Sequence, residues 1–311
     1  MQASIAGLHE TGNVLTEILT QGNLEIMMLP ELLYNAKATL GEGPAWDAKT
    51  QTLYWVDVLE KRVYAGSKLF IQLDDYVGCL ALRKDGGLVI AQRFGFWNFE
   101  PDSNRLITLA SPKGEPSNNR FNDGKCDPRG RFVAGTMDHN EQEASGSLYS
   151  LSVDGRIKRL LKDVRISNGL AWSPDYKTMY FIDTPTKDVK AFDYDLETGQ
   201  IADPRVIIHF ADTFGFPDGM TSDRDGNLWI AMWGGARVTQ WTPKGKLLEQ
   251  FGVPALQVTS CVFGGPALDE LFITTARVGM DAPALRKYPQ SGGVFRMKTN
   301  VKGMPTFEFG T

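Results

Sequence analysis

Apolar and polar residues alternate along most of this chain in short runs broken by polar turns, and the runs recur. Residues 52–57, Thr-Leu-Tyr-Trp-Val-Asp, follow the turn Asp47-Ala48-Lys49-Thr50 and are rich in aromatic and β-branched side chains, the composition of a strand. The same phrase returns five times. Lys84-Asp85-Gly86-Gly87 precedes LVIAQ, Asp127-Pro128-Arg129-Gly130 precedes RFVAGT, and Ser173-Pro174-Asp175-Tyr176 precedes TMYFID. Asp223-Arg224-Asp225-Gly226 precedes NLWIAM, and Gly264-Gly265-Pro266 comes ahead of ELFITT. A second alternating segment follows each strand (KRVYAG, FWNFEP, GSLYSLS, VKAFDYD, RVTQWTP and GGVFRMK), and its period of two is that of half-buried antiparallel strands.

Each unit is a small meander, and a repeat of about 40 to 50 residues built from such meanders is the signature of propeller blades, which need neighbours to bury both sheet faces. Six copies predict an all-β, six-bladed β-propeller. The apolar stretch LEIMML at 24–29 predicts an early strand that completes the last blade by pairing with the C-terminal segment, which removes an exposed edge. Residues 1–20 fit no blade, and 1–25 are read as an N-terminal extension, leaving 26–311 as a single domain. With 311 residues, 42% of them hydrophobic, the chain can bury one large core without dividing.

Radial repetition places equivalent positions around one axis. The residue just before the glycine that opens each innermost strand is expected to face the channel, and these positions are read as Glu42 in LGEGPAW, Val77 in YVGCLAL, Asn122 in RFNDGKCDP, Asn168 in ISNGLAW, Asp218 in FPDGMTS and roughly Ser260 in TSCVFGG. Two carboxylates and two carboxamides directed into a narrow channel repel and stay poorly solvated unless a cation joins them. Their donors are all oxygen, which favours Ca²⁺, Mg²⁺ or Mn²⁺, with Fe²⁺ or Zn²⁺ also compatible with a carboxylate-rich site. Asn-Gly and Asp-Gly also form turns in any β protein. Here, however, each pair runs directly into a strand, and the evident hairpin turns lie elsewhere in the unit.

The net charge of −4, with acidic and basic residues interspersed, offers no concentrated Lys/Arg surface for nucleic acid. No apolar run reaches the roughly 18 residues of a membrane span. Glu10, Glu17 and Glu25 interrupt the first thirty residues, no secretory signal is readable there, and a cytoplasmic location is the expectation. Cys79, Cys126 and Cys261 are widely spaced and are read as buried, reduced side chains. Most tryptophans, among them Trp97, Trp172, Trp229, Trp233 and Trp241, follow the strand spacing and are read as blade packing. His139 lies in the loop after Met137, near the expected channel mouth.

These residues are similar to the SMP-30/gluconolactonase/LRE family. The resemblance runs from LGEGPAWDAKTQTLYWVD through NNRFNDGKCDPRGRFVAGTM, ISNGLAWSPD, TMYFIDT and FPDGMTSDRDGNLWIAMWGGARV to TTARVGM and SGGVF, over about residues 40 to 300 in family order. It implies a six-bladed propeller with one divalent metal ion held by Glu42, Asn168 and Asp218, and substrate contacts from Arg120 and Asn122. Some relatives carry a glutamate three residues after the methionine of AGTM; this chain has Asn140 there and Glu141 beside it, so these two are the substrate-contact candidates from that loop.

The chemistry implied is hydrolytic opening of a sugar lactone, such as gluconolactone or xylonolactone, with Asp218 both ligand and general base for the attacking water. Arg120 and Asn122 would orient sugar hydroxyls. No GxSxG elbow, HExxH helix or phosphate-binding glycine loop competes. Two alternatives stay open: hydrolysis of an organophosphate or other ester at the same metal, and a non-catalytic, calcium-binding regulatory propeller. Oligomeric state is not legible.

Overall fold

The computed structural model describes residues 29–310. The chain enters on β1 (Glu31–Tyr34) and then runs through six meanders. The first blade is β2 (Gly41–Asp47), β3 (Thr52–Asp57), β4 (Arg62–Ala65) and β5 (Lys68–Gln72); the second is β6 (Val77–Leu82), β7 (Leu88–Gln92), β8 (Gly95–Glu100) and β9 (Arg105–Ala110). The third is β10 (Asn119–Cys126), β11 (Phe132–Asp138), β12 (Gly146–Leu151) and β13 (Ile157–Val164); the fourth is β14 (Ser167–Trp172), β15 (Thr178–Asp183), β16 (Asp188–Asp195) and β17 (Gln200–His209). The fifth is β18 (Phe216–Ser222), β19 (Leu228–Trp233), β20 (Arg237–Trp241) and β21 (Leu247–Gly252), and β22 (Gln257–Gly264), β23 (Glu270–Ala276) and β24 (Val294–Lys298) begin the sixth.

The sixth blade takes β1 as its outer strand, with Glu31 opposite Arg296 and Leu32 opposite Phe295. The ring is therefore closed by chain from its other end, as the pattern predicts. Among the described residues the closing strand is Glu31–Tyr34, whose Leu32, Leu33 and Tyr34 pack on the last blade. Residues 24–28, and with them the whole N-terminal extension, lie outside the described residues.

Six apolar clusters fill the spaces between successive blades. Val56, Val63, Leu88 and Ile90 join the first to the second, and Phe96, Phe121, Phe132 and Tyr149 the second to the third. Trp46, Trp55, Val262 and Phe272 join the sixth to the first. Second strands such as β7 and β11 are buried on both faces, whereas outer strands such as β13 and β21 present charged and polar side chains at the rim, which protects the edges from further pairing. Trp172, Trp229 and Trp241 belong to these interblade clusters. All three cysteines are buried and free. Among the described residues no helix is long and apolar enough to cross a membrane.

The inner strands β2, β6, β10, β14, β18 and β22 pack consecutively around a central channel. One end of the channel is capped by the C-terminal segment, which lies across several blades. Met304 N–H donates to the Ser222 carbonyl (3.1 Å), Phe309 N–H to that of Leu82 (2.7 Å) and Gly310 N–H to that of Gly130 (3.2 Å). Only about 60 Å³ of space remains beneath this strap, bounded by Lys125, Met304, Pro305, Thr306 and Phe307 among others. The opposite end opens into a cavity of about 580 Å³.

Candidate functional site

Each inner strand breaks register with its neighbour at one level. The shifts fall between Glu42 and Ala45, Val77 and Cys79, Phe121 and Gly124, Asn168 and Leu170, Pro217 and Met220, and Val258 and Ser260. A bulge frees a residue from the ladder and re-aims its side chain. Asn122 and Asp218 lie within these unpaired stretches and Glu42 and Asn168 are the last paired residues before theirs, and all four line the open cavity. Glycine follows at this level because neighbouring inner strands close up: a Cβ on Gly78 would lie 2.5 Å from the Asn122 carbonyl oxygen, and one on Gly169, whose φ is +29°, would lie 2.7 Å from that of Asp218.

The approach to two of these residues is clamped by the aspartates that end TLYWVD and TMYFID. Asp57 accepts the N–H groups of Thr39 (2.9 Å) and Leu40 (3.0 Å), just ahead of Glu42. Asp183 accepts those of Arg165 (3.1 Å) and Ile166 (2.9 Å), just ahead of Asn168. A repeating sequence feature thus fixes the backbone that carries the polar side chains.

A hydrogen-bonded chain links three blades across the cavity floor. Arg120 Nη1 donates to Asn122 Oδ1 (2.7 Å), Asn122 Nδ2 to Asn168 Oδ1 (3.0 Å), Asn168 Nδ2 to Thr184 Oγ1 (2.8 Å), and the Thr184 hydroxyl to the Pro217 carbonyl (2.8 Å), next to Asp218. The direction of donation turns the Asn168 oxygen towards Asn122 and the channel. Arg120 is 5% exposed, held also by the Phe121 carbonyl at 3.1 Å.

Electrostatics at the floor are unfavourable to the carboxylates alone. Burial, and then the charge of Asp123, pushes the Glu42 carboxyl up to about 8. Burial raises Asp218 well above the usual carboxylate range, with Glu42 and Asp123 adding to it. Asp218 Oδ1 is buried with no hydrogen-bond partner among the described residues. Burial also lowers Arg120, and Glu141 and Glu42 oppose that shift. Such a floor suits a hard divalent cation, which would neutralise the carboxylates and take up the orphaned oxygen. Among the described residues no group of three or more His, Cys, Asp or Glu side chains is disposed to hold a metal ion. An ion here would draw on the Asn168 carboxamide beside the two carboxylates.

The loop after β11 supplies one side of the cavity. Asp138 accepts N–H groups from Asn140 (3.3 Å), Gln142 (2.9 Å) and Glu143 (3.1 Å), curling the loop so that Glu141 takes a left-handed φ of 60°. His139 and Glu141 line the cavity; Asn140, between them, is exposed and does not. His139 packs its ring on Tyr76 at 5.0 Å. Leu40, Leu59, Ile166, Phe216, Trp233 and Val278 form an apolar wall, so Trp233 departs from the blade-packing reading of the tryptophans.

Sequence reasoning missed three residues of this region. Thr184 follows TMYFID directly and was legible only as strand end. Asp123, and not Asn122, is the residue immediately before the glycine of β10; applying the positional rule strictly would have found it. Lys125, whose ammonium meets the Met220 carbonyl, enters the channel from the same strand.

A six-bladed propeller whose channel is capped at one end and opens at the other into an oxygen-lined cavity defines the class to which this molecule belongs. The chain belongs to the SMP-30/gluconolactonase/LRE-like family, whose model matches residues 40–277. A regucalcin of Danio rerio is 40% identical over 290 residues, 90% of this chain and 97% of that protein. Among solved structures, a calcium-binding regucalcin of Agrobacterium tumefaciens str. C58 is similar with a TM-score of 0.87 at 28% identity, covering 91% of this chain and 98% of that one. A gluconolactonase from Xanthomonas campestris is similar with a TM-score of 0.70 at 25% identity, covering 86% and 88%.

Proposed function

We propose that this chain is a metal-dependent hydrolase that opens a sugar lactone, of the gluconolactone or xylonolactone kind, to the sugar acid. The observation that carries the reading is the chain from Arg120 through Asn122 and Asn168 to Thr184, which meets buried Glu42 and Asp218 around one cavity. Family membership and the likeness to a gluconolactonase support it. Glu42, Asn168 and Asp218 would hold one divalent ion, with Ca²⁺, Mg²⁺, Mn²⁺, Fe²⁺ and Zn²⁺ all compatible with the donors. When bound, the ion supplies Lewis-acid polarisation of the lactone carbonyl.

The remaining work falls to side chains. Arg120 and Asn122 orient the substrate hydroxyls, and the apolar wall excludes water from the rest of the ring. Asp218 accepts a proton from the attacking water as its oxygen bonds to the carbonyl carbon. The ring C–O bond then breaks, and the proton passes from Asp218 to the departing ring oxygen, leaving a hydroxy acid. A panel of aldonolactones assayed with chelator and with each ion tests this: turnover that depends on metal supports it, and no turnover with any ion refutes it. The second outcome would favour a calcium-binding regulatory propeller, the reading to which the regucalcin relatives point.

A further inference from the structure

Two inner strands share one local arrangement. Glu42 Oε2 accepts the N–H of Gly43 at 2.9 Å, and Asp123 Oδ1 that of Gly124 at 2.7 Å. In each case a carboxylate sits on the glycine that follows it, at the level of the bulges. Glu42 and Asp218 line the open cavity; Asp123 does not. It lies one step deeper, between Asn122, which lines that cavity, and Gly124 and Lys125, which line the space beneath the C-terminal strap.

Asp123 is 3% exposed, and its Oδ2 is buried with no hydrogen-bond partner among the described residues, as is Oδ1 of Asp218. A carboxylate oxygen kept dry and unpaired is strongly unfavourable unless positive charge or ordered water completes it. The cations of the same strand are committed elsewhere: Lys125 to the Met220 carbonyl, and Arg120 to the Phe121 carbonyl and Asn122. A wall residue needs no charge at this depth; Val77 occupies the related position in the second blade.

We propose that Asp123 is a positioning residue for the ion site: from beneath Glu42 and Asp218, its charge and free oxygen raise the affinity of the floor for a divalent cation, and Lys125 is the counter-charge that limits the gain. This rests on the reading that Glu42, Asn168 and Asp218 hold the ion. It adds a carboxylate that does not line the cavity and assigns the half-buried Lys125 a role.

Calorimetric titration of Ca²⁺ and Mn²⁺ into metal-free protein tests it, with thermal unfolding in chelator measured alongside. Asp123→Asn should weaken binding tenfold or more, within the range expected for a group outside the first coordination sphere. Lys125→Met should tighten it severalfold. A purely structural Asp123 would change the unfolding temperature in chelator and leave both dissociation constants at the wild-type value, and that result overturns the proposal. Should Asp123→Asn fail to fold, an unchanged affinity in Lys125→Met overturns it equally. Asp218→Asn separates the two layers. Loss of binding in that variant with none in Asp123→Asn refutes the inference alone, whereas a wild type that binds neither ion, or an Asp218→Asn that binds normally, refutes the ion site itself.

Discussion

Replacing Glu42 with glutamine should stabilise the metal-free protein and remove its response to metal. The side chain is 7% exposed, and burial, with the charge of Asp123, pushes its carboxyl up to about 8 from an ordinary value of 4.5. Because the folded pKa is the higher one, the fold binds the proton more tightly, and stability falls as pH rises from about 4.5 to about 8. At pH 7 the penalty amounts to about 3 kcal/mol, since the loss accrues at about 1.4 kcal/mol for each step of one in pH across that window. Glutamine keeps the shape and the acceptor for the Gly43 N–H but carries no charge, so it escapes the penalty. In chelator at pH 7, Glu42→Gln should unfold at a temperature higher by on the order of 5 °C, and the advantage should vanish as pH approaches 4.5. With an ion at one hundred times its dissociation constant, the wild type should gain about 2.7 kcal/mol and the variant little. Scanning fluorimetry from pH 4.5 to 8.5, with chelator and with Ca²⁺ or Mn²⁺, reads both effects. A variant less stable than wild type in chelator at pH 7, or one that keeps the full metal-induced rise, would refute the reasoning.

Asp218→Ala should lower lactone turnover by about a thousandfold, the scale of a lost general base, while the β-sheet circular dichroism stays unchanged; turnover within tenfold of wild type contradicts its assignment. Glu141→Ala should raise KM for a neutral lactone severalfold, whereas Asn140→Ala should leave KM unaltered, because only Glu141 lines the cavity; initial-rate kinetics on both variants discriminate. Gly78→Ala should cost about 1–3 kcal/mol in denaturant unfolding, because the added carbon meets the Phe121 and Asn122 carbonyls and the inner ring must move apart. A neutral result there would mean that the strands are less closely set than described.

The blades were legible because their signals are local. The predicted second and third strands of every unit are strands here, since a period of two and a polar turn are properties of a few consecutive residues. The exposed outer strands carry weaker alternation and were not singled out. That chain from the other end closes the ring was legible, but pairing on Phe295 and its neighbours is what defines Glu31–Tyr34 as the closing strand described.

Of the site, the positions of Glu42, Asn122, Asn168 and Asp218 followed from the repeat. Their hydrogen bonds did not, because the links from Asn122 to Asn168 and from Thr184 to Pro217 span 46 and 33 residues and form only once neighbouring blades are packed together. The placing of Asn140 and Glu141 depended on a loop whose curl is set by Asp138 through non-periodic contacts. Which end of the channel opens was likewise undetermined by any pattern. It is decided by a C-terminal segment that has no periodicity of its own and finds its place only on the assembled faces of several blades. Alternation along a strand fixes which residues face inward, because the backbone itself alternates. What those residues meet is fixed only when the ring closes, as when the Thr259 hydroxyl reaches the Gly41 carbonyl at 2.6 Å, across 218 residues of sequence.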